Sequence, residues 1–448
     1  MSVSVVKRLQ DDVIEPGLCV GCGGCVAWSR SSKMQVTELG PVPLFSDEES
    51  LPEAAIECCP AYKLNYPALY KSHYGKHPEN WLTGIALKVR TGYASDEGIR
   101  AAGASGGVLT RVLIHLLESG QVHAVIAVKQ GIPTAEEARA VICRSRGEII
   151  ACAQSVYIPV SMLDVLRELT PGEHYAMTCL PEQSAALRKL QAQGHAGAMQ
   201  IRFVVGPYTG TALYPAAIRA FLQSKGIGRN DAITRLQWRA GEWPGYLEIQ
   251  LASGAVVRTK KVYYNFLIPF YVTQASLQSM DFVNEFADLA VGDAWSPQHE
   301  SAGGGHSVIV TRTPEMESII SDMVLKQLIT AQEEQPLKAS EMHGHMIDFK
   351  KRGGYLRNQW RAMTGRRAPD YGYRPETVPL SRKIVECVIS GIFAIGRTSV
   401  ARWVMASIPE RVMGPAFDNI RKGWKSASKP TKRKGLSDFR VIITGEKV

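Results

Sequence analysis

Apolar and polar residues follow two alternating patterns along the middle of the chain. An apolar run at 86–94 precedes a Gly/Ser-rich loop, and from Gly107 onward apolar residues recur at the three- and four-residue spacing of a helix. Gly120 ends that spacing, and a second apolar run follows at 122–128. These patterns predict a strand, a loop, a helix and a second strand.

The same alternation continues to about residue 345. The further runs predict strands at 174–178, 199–205, 287–291 and 307–311, and helices after Pro181, at 213–222 and after Thr313. Thr313 is a capping residue followed by proline at the first helical position, which is a typical helix start. Strands that alternate with helices predict an α/β body with a mixed sheet.

Composition divides the chain into four regions. Residues 1–75 are rich in cysteine and proline with little periodicity, which is typical of a small metal-binding module. The α/β body divides into an N-terminal part at 83–168, which contains the Gly-rich loop, and a C-terminal part at 169–345, which is expected to carry catalysis. Residues 346–448 are predicted to form a helical, basic C-terminal extension.

Length and charge narrow the classes of partner. The chain has 448 residues, 45% of them hydrophobic, which is enough for a large core. It carries 52 Lys and Arg against 42 Asp and Glu, and this excess favours acidic partners. Much of the excess lies in a tail at 421–434, which either contacts anionic lipid headgroups or an acidic redox partner, or is a solvated end. No recognition fold precedes the tail, so no nucleic-acid contact is predicted.

The apolar segments of the chain also bear on where in the cell the protein is located. The N-terminus lacks the apolar stretch of a secretion signal. The longest apolar stretch, at 384–395, contains Glu386 and is shorter than the about 20 residues that a membrane span needs. A cytoplasmic location is therefore predicted.

Five of the nine cysteines lie in the first 59 residues, and this clustering favours a metal site over a disulfide scaffold. Cys19, Cys22 and Cys25 form a C-x2-C-x2-C run, whose thiolates can wrap one 4Fe-4S cluster. A distant Cys-Pro pair supplies the fourth ligand in such sites, and Cys59 precedes a proline here. The prediction is a ferredoxin-like module with one cluster, in which Cys58 competes with Cys59 as the fourth ligand.

A structural zinc ion and free buried thiols are the alternatives for these cysteines. Zinc sites usually combine one C-x2-C pair with a second distant pair, rather than with a third cysteine at the same spacing. In two-cluster ferredoxins a local fourth cysteine ligates the second cluster, and that position holds Ser29 here. The pattern therefore favours a single cluster in this module.

Ser105, Gly106 and Gly107 lie between a predicted strand and an amphipathic helix. Unshielded backbone N–H groups at a helix start bind anions, so these residues are predicted to hold a flavin phosphate; the alternative is an ordinary helix start whose glycines allow close packing. Asp293 follows a predicted strand, where the ligands of α/β folds gather. Two interpretations stay open for Asp293. Its side chain hydrogen-bonds a ribityl or ring group of the flavin, or it hydrogen-bonds the backbone of its own turn.

Seven segments in a fixed order carry a resemblance to a known family. They are CVGCGGC, GYASDEGIRAAGASGGVLT, CLPEQSAALRKL, VVGPYTG, WPG, ADLAVGDAW and SVIVTRT, and they lie between about residues 19 and 313. The chain resembles the beta-subunit family of coenzyme F420 hydrogenases and dehydrogenases, which includes 7-hydroxymethyl chlorophyll a reductase. The resemblance implies bound FAD, at least one 4Fe-4S cluster, and electron transfer between a one-electron carrier such as ferredoxin and a two-electron acceptor.

The chain departs from this family at positions where many members carry cysteine. These positions hold Glu182, Thr209, Ser276 and Ser279. Carboxylate and hydroxyl groups suit iron–sulfur clusters poorly, so one cluster is predicted for the whole chain. Glu182 is a candidate catalytic proton donor near the flavin if burial raises its pKa; the alternative is a solvated or capping glutamate at a helix start.

Together these observations predict an FAD- and 4Fe-4S-dependent oxidoreductase that acts on a small-molecule substrate or cofactor. One alternative is a non-catalytic electron-transfer subunit of a larger redox complex, which the missing cysteines favour. An enzyme of polysaccharide biosynthesis and a zinc-stabilised nucleic-acid-binding protein are the others. Deazaflavin, nicotinamide, a tetrapyrrole and a sugar all stay open as substrates.

Overall fold

The computed structural model describes residues 3–46, 49–228, 230–260 and 265–444. The strands are β1 Lys33–Thr37, β2 Gly40–Leu44, β3 Lys88–Ala94, β4 Ala124–Gln130, β5 Ala138–Cys143, β6 Tyr175–Thr178, β7 Ile201–Pro207, β8 Ile233–Ala240, β9 Tyr246–Leu251, β10 Val256–Lys260, β11 Leu289–Asp293, β12 Ser307–Thr311, β13 Ile329–Glu333, β14 Tyr373–Pro375 and β15 Val441–Ile443.

The α-helices are α1 Val5–Leu9, α2 Gly24–Ala27, α3 Ala54–Glu57, α4 Tyr66–Tyr74, α5 Glu97–Ala102, α6 Val108–Glu118, α7 Arg146–Ala151, α8 Pro181–Ala192, α9 Ala196–Met199, α10 Ala216–Ser224, α11 Ile268–Tyr271, α12 Gln274–Gln278, α13 Pro297–Ala302, α14 Pro314–Leu325, α15 Pro336–Asp348, α16 Tyr355–Met363, α17 Leu380–Gly396, α18 Ser399–Ser407 and α19 Glu410–Arg433. Short 3-10 segments lie at Asp164–Arg167 and Asn265–Leu267, and π-helical turns at Gln10–Ile14 and Phe349–Gly354.

Eight strands form one mixed sheet in the order β13-β3-β12-β11-β7-β6-β4-β5. Strands β4, β6, β7 and β11 are parallel, while β5 joins them on one side and β12, β3 and β13 on the other, each antiparallel to its neighbour. The parallel strands are largely apolar because helices cover both faces of the sheet. The predicted α/β body with a mixed sheet is confirmed.

Strand β4 shows how the two faces are covered. Ile126 lies in a core that includes Leu187 of α8, while its neighbour Val125 lies in a second core that includes Val112 of α6. Successive side chains of a strand point to opposite faces, so one apolar run supplies both cores. The apolar residues that recur at helical spacing after Gly107 form the face of α6 that packs on the sheet.

A second, antiparallel sheet of β8, β9 and β10 follows α10. Trp238 and Leu247 of this sheet pack with Phe221 of α10 in a core of their own. Two register shifts interrupt the pairing of β8 with β9. Such shifts break the period-two alternation of a strand, and this explains why the sequence pattern did not predict these strands.

The cysteine-rich N-terminal region packs directly on the α/β body. The N–H of Leu163 donates to the carbonyl of Cys22 at 2.8 Å, and a ring nitrogen of His195 lies 3.1 Å from the carbonyl oxygen of Ala27. The loop of the three closely spaced cysteines is therefore fixed between the start of α9 and the segment before Asp164–Arg167. The ferredoxin-like character of this region stays a prediction, as do the four domain boundaries.

The C-terminal region is helical, as predicted, and buried ion pairs join its parts. Arg382 of α17 pairs with Asp348 at 2.6 Å and with Glu386 at 2.9 Å, while Arg357 of α16 pairs with Glu386 at 2.5 Å. All four side chains are buried. Buried charges are costly unless they are paired, so these contacts fix α15, α16 and α17 relative to one another.

Helices α17 and α18 are the most apolar helices of the C-terminal region, so their length and shape bear on whether they could cross a membrane. No single helix among the described residues has both the length and the apolar character needed to cross a bilayer. Helices α17 and α18 meet these requirements only as a pair, and they join at a bend of 77°.

Candidate functional site

The four predicted cluster ligands converge on one small cavity of about 20 Å³. The cysteines that line it are Cys19, Cys22, Cys25 and Cys59. The loop can turn three of the sulfurs inward because Gly21 and Gly23 have φ angles of +69° and +83°, a left-handed conformation that favours glycine. A side chain at residue 21 would also meet the carbonyl oxygen of Pro41 at 2.7 Å.

Burial and mutual repulsion make thiolates costly in this cavity. Burial, and then the nearby Cys59, raise the pKa of Cys19 to about 12. The pKa values of Cys22 and Cys25 are raised further by burial and by the neighbouring cysteines. Four thiolates can therefore share this cavity only if a cationic group compensates their charge.

The chemistry of the donor set fits an iron–sulfur cluster. The N–H of Gly21 donates to the sulfur of Cys19, and the N–H of Gly24 to that of Cys22, each at 3.4 Å; backbone amides stabilise cluster sulfur ligands in this way. No three or more His, Cys, Asp or Glu side chains in the described part of the chain are arranged to hold a single metal ion.

The two adjacent cysteines after α3 point in different directions. The thiol of Cys58 donates to the carbonyl of Ala55 at 3.3 Å and does not line the cavity, whereas Cys59 does. Lys189 of α8 donates to the carbonyl of Glu57 at 2.7 Å, and its charge acts to lower the pKa of both thiols, although burial raises each pKa overall. The geometry favours Cys59 over Cys58 as the fourth ligand.

The other candidate residues lie along one edge of the large sheet. Strands β6 and β11 both run parallel to β7, so Glu182 in the first turn of α8 and Asp293 at the end of β11 lie at the same edge. Strand β12 begins at that edge, and its first residue, Ser307, contacts the Gly-rich loop. Ligands of α/β folds bind at the carboxyl ends of parallel strands, so this edge is the candidate site.

The Gly-rich loop packs tightly against the start of β12. The N–H of Gly106 donates to Ser307 Oγ at 3.2 Å, and Ser105 Oγ donates to the carbonyl of His306 at 2.8 Å. Gly107, with φ of +71°, is the residue before the first turn of α6, and no side chain caps this helix. A side chain at residue 106 would lie 2.8 Å from the carbonyl oxygen of Gly92, so close packing accounts for that glycine.

A second glycine loop, Gly303–Gly305, lies against the first. Arg100 holds it by donating to the carbonyl of Gly304 at 3.0 Å and to that of Gly305 at 2.9 Å. The Arg100 guanidinium lies 3.7 Å from the ring centre of Tyr93. Asp96, four residues before Arg100, caps α5 and pairs with Arg146 at 2.7 Å.

Asp293 is held by a buried arginine from the second sheet. Arg239 of β8 pairs with it at 2.9 Å and also donates to the carbonyl of Pro244 at 3.1 Å. Trp243 and Trp295 pack beside this pair with ring centres 4.7 Å apart. Arg239 was not predicted from the sequence, because the residue pattern of β8 does not show that the Arg239 side chain reaches Asp293 at the end of β11.

Glu182 faces a buried lysine that sequence reasoning also missed. Burial raises the pKa of Glu182, and the charge of Lys350 opposes that effect. Burial lowers the pKa of Lys350 to about 8, while its ammonium donates to the carbonyl of Ser276 at 2.9 Å. A side-chain hydrogen bond from Ser279 also acts on Glu182. Of the four positions that lack cysteine, Glu182 and Ser276 thus lie near the Lys350 ammonium, and Ser279 contacts Glu182.

Comparison with family models decides which family the chain represents. The N-terminal model for the coenzyme F420 hydrogenase/dehydrogenase beta subunit matches residues 89–167, and the C-terminal model matches residues 172–336. Together they span more than half of the chain. The chain belongs to the coenzyme F420 hydrogenase/dehydrogenase beta-subunit family. As a beta subunit of this family, it is an oxidoreductase-type electron-transfer subunit.

The fold of this beta subunit also has a counterpart among solved structures. A chain of the F420-reducing [NiFe] hydrogenase complex from Methanosarcina barkeri aligns with a TM-score of 0.50 and 18% sequence identity, over 63% of this chain and 96% of that chain. A comparison with curated proteins gave no match. At this identity the structural likeness concerns the fold alone.

The matched ranges divide the candidate residues of the beta subunit into two groups. The Gly-rich loop, Glu182 and Asp293 lie inside the matched ranges, at the edge of the large sheet. The cysteine cavity lies before them, and Lys350 and helices α16 to α19 lie after them. The family models therefore bear on the sheet edge and not on the cysteines.

Proposed function

We propose that this beta subunit is an iron–sulfur flavoprotein that passes electrons between a one-electron carrier, such as ferredoxin, and a two-electron acceptor through FAD. The observation that carries the proposal is the convergence of four cysteines on one cavity, in a member of an oxidoreductase family. The α/β body, with its candidate ligand edge, lies directly beside that cavity. Helix α8 connects the two, because its first turn lies at the edge and its Lys189 lies beside the cysteines.

Cys19, Cys22, Cys25 and Cys59 would hold one 4Fe-4S cluster, which supplies one-electron transfer when it is bound. Backbone N–H groups donate to two of these sulfurs, those of Cys19 and Cys22. The nearby charge of Lys189 compensates negative charge at the cavity. Each of these features favours thiolate ligands over free thiols in this place.

FAD would lie at the edge of the large sheet, where it supplies the exchange between single electrons and a hydride. The first turn of α6, next to Ser105, Gly106 and Gly107, presents backbone N–H groups that no side chain caps. A helix start of this kind binds phosphate. The carboxylate of Asp293, oriented by Arg239, is placed at the same edge to accept hydrogen bonds from a ribityl chain or ring.

Glu182 and Lys350 are proposed as the proton-handling groups of this site. A glutamate of raised pKa beside a lysine of lowered pKa can keep a proton available near neutral pH, as general acid catalysis requires. Glu182 begins α8 at the same edge as Asp293. In this proposal Glu182 delivers the proton, and Lys350 sets the protonation state of its carboxyl group.

A redox protein partner is part of the proposal. It is supported by the structural neighbour, which is a chain of a hydrogenase complex. The second candidate function is a non-catalytic electron-transfer subunit. Glu182, Ser276 and Ser279 favour it, because they stand at positions where many relatives carry cysteine, and Glu182 lies near a buried lysine instead.

The test is to purify the full chain without oxygen and to assay iron, acid-labile sulfide and flavin. The expected result is about four iron and four sulfide per chain together with bound FAD. A chain with cluster but no flavin at saturating FAD would remove the flavoprotein proposal and leave the electron-transfer subunit. Zinc without sulfide would overturn the cluster. Cys387→Ser, at an exposed cysteine, is the matched control and should keep the full iron content.

A further inference from the structure

Helix α17 has apolar residues on its exposed side as well as on its buried side. Its inward face carries the buried ion pair Arg382–Glu386 together with the buried Ile389 and Phe393, and its outward face is apolar as well. The outward residues recur at three- and four-residue spacing and are exposed by 44% to 73%: Leu380, Ile384, Val388, Ile392 and Ile395. A surface helix of a globular protein normally exposes a polar face instead.

The apolar surface continues past the bend. Helix α18, which leaves α17 at 77°, exposes Val400, Trp403 and Val404. Of the twenty large hydrophobic side chains that are exposed among the described residues, ten lie within 380–420. Single exposed hydrophobic residues are ordinary, but a concentration of this kind marks a surface that contacts something else.

The charge of this region is as unusual as its apolar surface. Residues 380–434 contain twelve Lys and Arg and three acidic residues, so they hold nine of the ten excess positive charges of the whole chain. Glu386 is buried against arginine, and Asp418 is paired with Arg421 and Lys422 of its own helix at 2.8 Å and 2.7 Å. The partner of this surface is therefore expected to be apolar and anionic.

We propose that α17, α18 and α19 bind the surface of an anionic lipid bilayer. The apolar outward side chains of α17 and α18 would enter the boundary between headgroups and acyl chains, with Trp403 at headgroup depth, and the basic α19 would contact lipid phosphates. A protein partner is less well matched, because protein interfaces are depleted in lysine, which is frequent here. This inference is independent of the redox proposal, since it uses none of the cluster or flavin residues.

The test is flotation of the full-length protein with vesicles. One set contains phosphatidylcholine and phosphatidylglycerol, and the other contains phosphatidylcholine alone. The wild-type chain should float with the anionic vesicles and bind less as salt is raised. The triple variant Ile384→Ser/Ile395→Ser/Trp403→Ser should bind roughly tenfold more weakly or worse, because three exposed apolar side chains no longer enter the lipid.

The matched control is Leu325→Ser/Leu337→Ser/Met363→Ser, which removes equally exposed apolar side chains outside the surface. It should bind vesicles as the wild type does, and circular dichroism should show that both triple variants are folded. Equal vesicle binding by wild type and the first variant, or no binding of wild type to anionic vesicles, would overturn the proposal. A third outcome would also overturn the proposal. If the wild type self-associates without binding vesicles, and the first variant does not self-associate, the surface is a protein contact instead.

Discussion

The ammonium group of Lys189 donates a hydrogen bond of 2.7 Å to the carbonyl of Glu57, the residue directly before Cys58 and Cys59. Lys189 also donates to the carbonyl of Lys63. The α/β body thus places one positive charge beside the end of the cysteine cavity, through a helix whose first turn carries Glu182. This contact links the proposed electron entry to the candidate ligand edge.

Replacing Lys189 should change the redox potential of the cluster. Lys189→Met removes a positive charge that stabilises the more negative, reduced state, so we expect a midpoint potential roughly 30 to 60 mV lower. Lys189→Arg keeps the charge and should stay close to the wild type. A redox titration followed by electron paramagnetic resonance measures the shift; equal potentials for the two variants would show that Lys189 does not act on the cluster.

The stability of the protein should depend on pH through Lys350. Burial lowers the pKa of Lys350 from 10.5 to about 8. Between these values the unfolded chain binds this proton more often than the folded chain does, so the free energy of unfolding rises with pH in that window. Urea unfolding of the wild type should gain up to about 1 kcal/mol per pH unit relative to Lys350→Met. Parallel curves for the two proteins between pH 8 and 10 would refute the assignment.

The buried ion pairs of the C-terminal region should be sensitive to the loss of one partner. Arg382→Met leaves two buried carboxylates with one arginine each, Asp348 with Arg352 and Glu386 with Arg357, and we expect a loss of about 3 to 5 kcal/mol in the free energy of unfolding. The control is Lys326→Met, which breaks an exposed pair with Asp322 and should cost less than about 1 kcal/mol. Denaturant titrations that give similar losses for both variants would contradict the account.

The Gly-rich loop should not tolerate a side chain at residue 106. A Cβ there would lie 2.8 Å from the carbonyl oxygen of Gly92 and 2.9 Å from Ser307 Oγ. Gly106→Ala is expected to cost about 1 to 3 kcal/mol and to lower the flavin content of the purified protein. Gly147→Ala, a helical site with open space around it, should be neutral or slightly stabilising. Full flavin content in both variants would argue against a phosphate site at this loop.

Much of the large sheet was predictable because its strands and helices have clear periods. The strand at 307–311 has the predicted bounds, and the helix expected after Thr313 is α14. Such runs can be recognised in the sequence because strands buried on both faces are short and apolar. Strands β8 to β10 were not predicted, because register shifts and charged residues such as Arg235 interrupt their alternation.

The candidate site was predictable only in part, for a physical reason. Cys19, Cys22 and Cys25 are close in sequence, so the convergence of these three cysteines follows from local geometry. Arg239, Lys350 and Lys189 act on Asp293, Glu182 and Cys59 from distant elements, and their positions depend on tertiary packing that local pattern does not encode.

The central claim is that Cys59, and not Cys58, completes a set of four thiolate ligands around one iron–sulfur cluster. The most direct measurement is acid-labile sulfide together with the electron paramagnetic resonance spectrum of the reduced protein, for Cys59→Ala and Cys58→Ala purified without oxygen. We expect Cys59→Ala to lose the sulfide and the cluster signal, and Cys58→Ala to keep both. A Cys59→Ala variant with full sulfide and an unchanged spectrum would contradict the account.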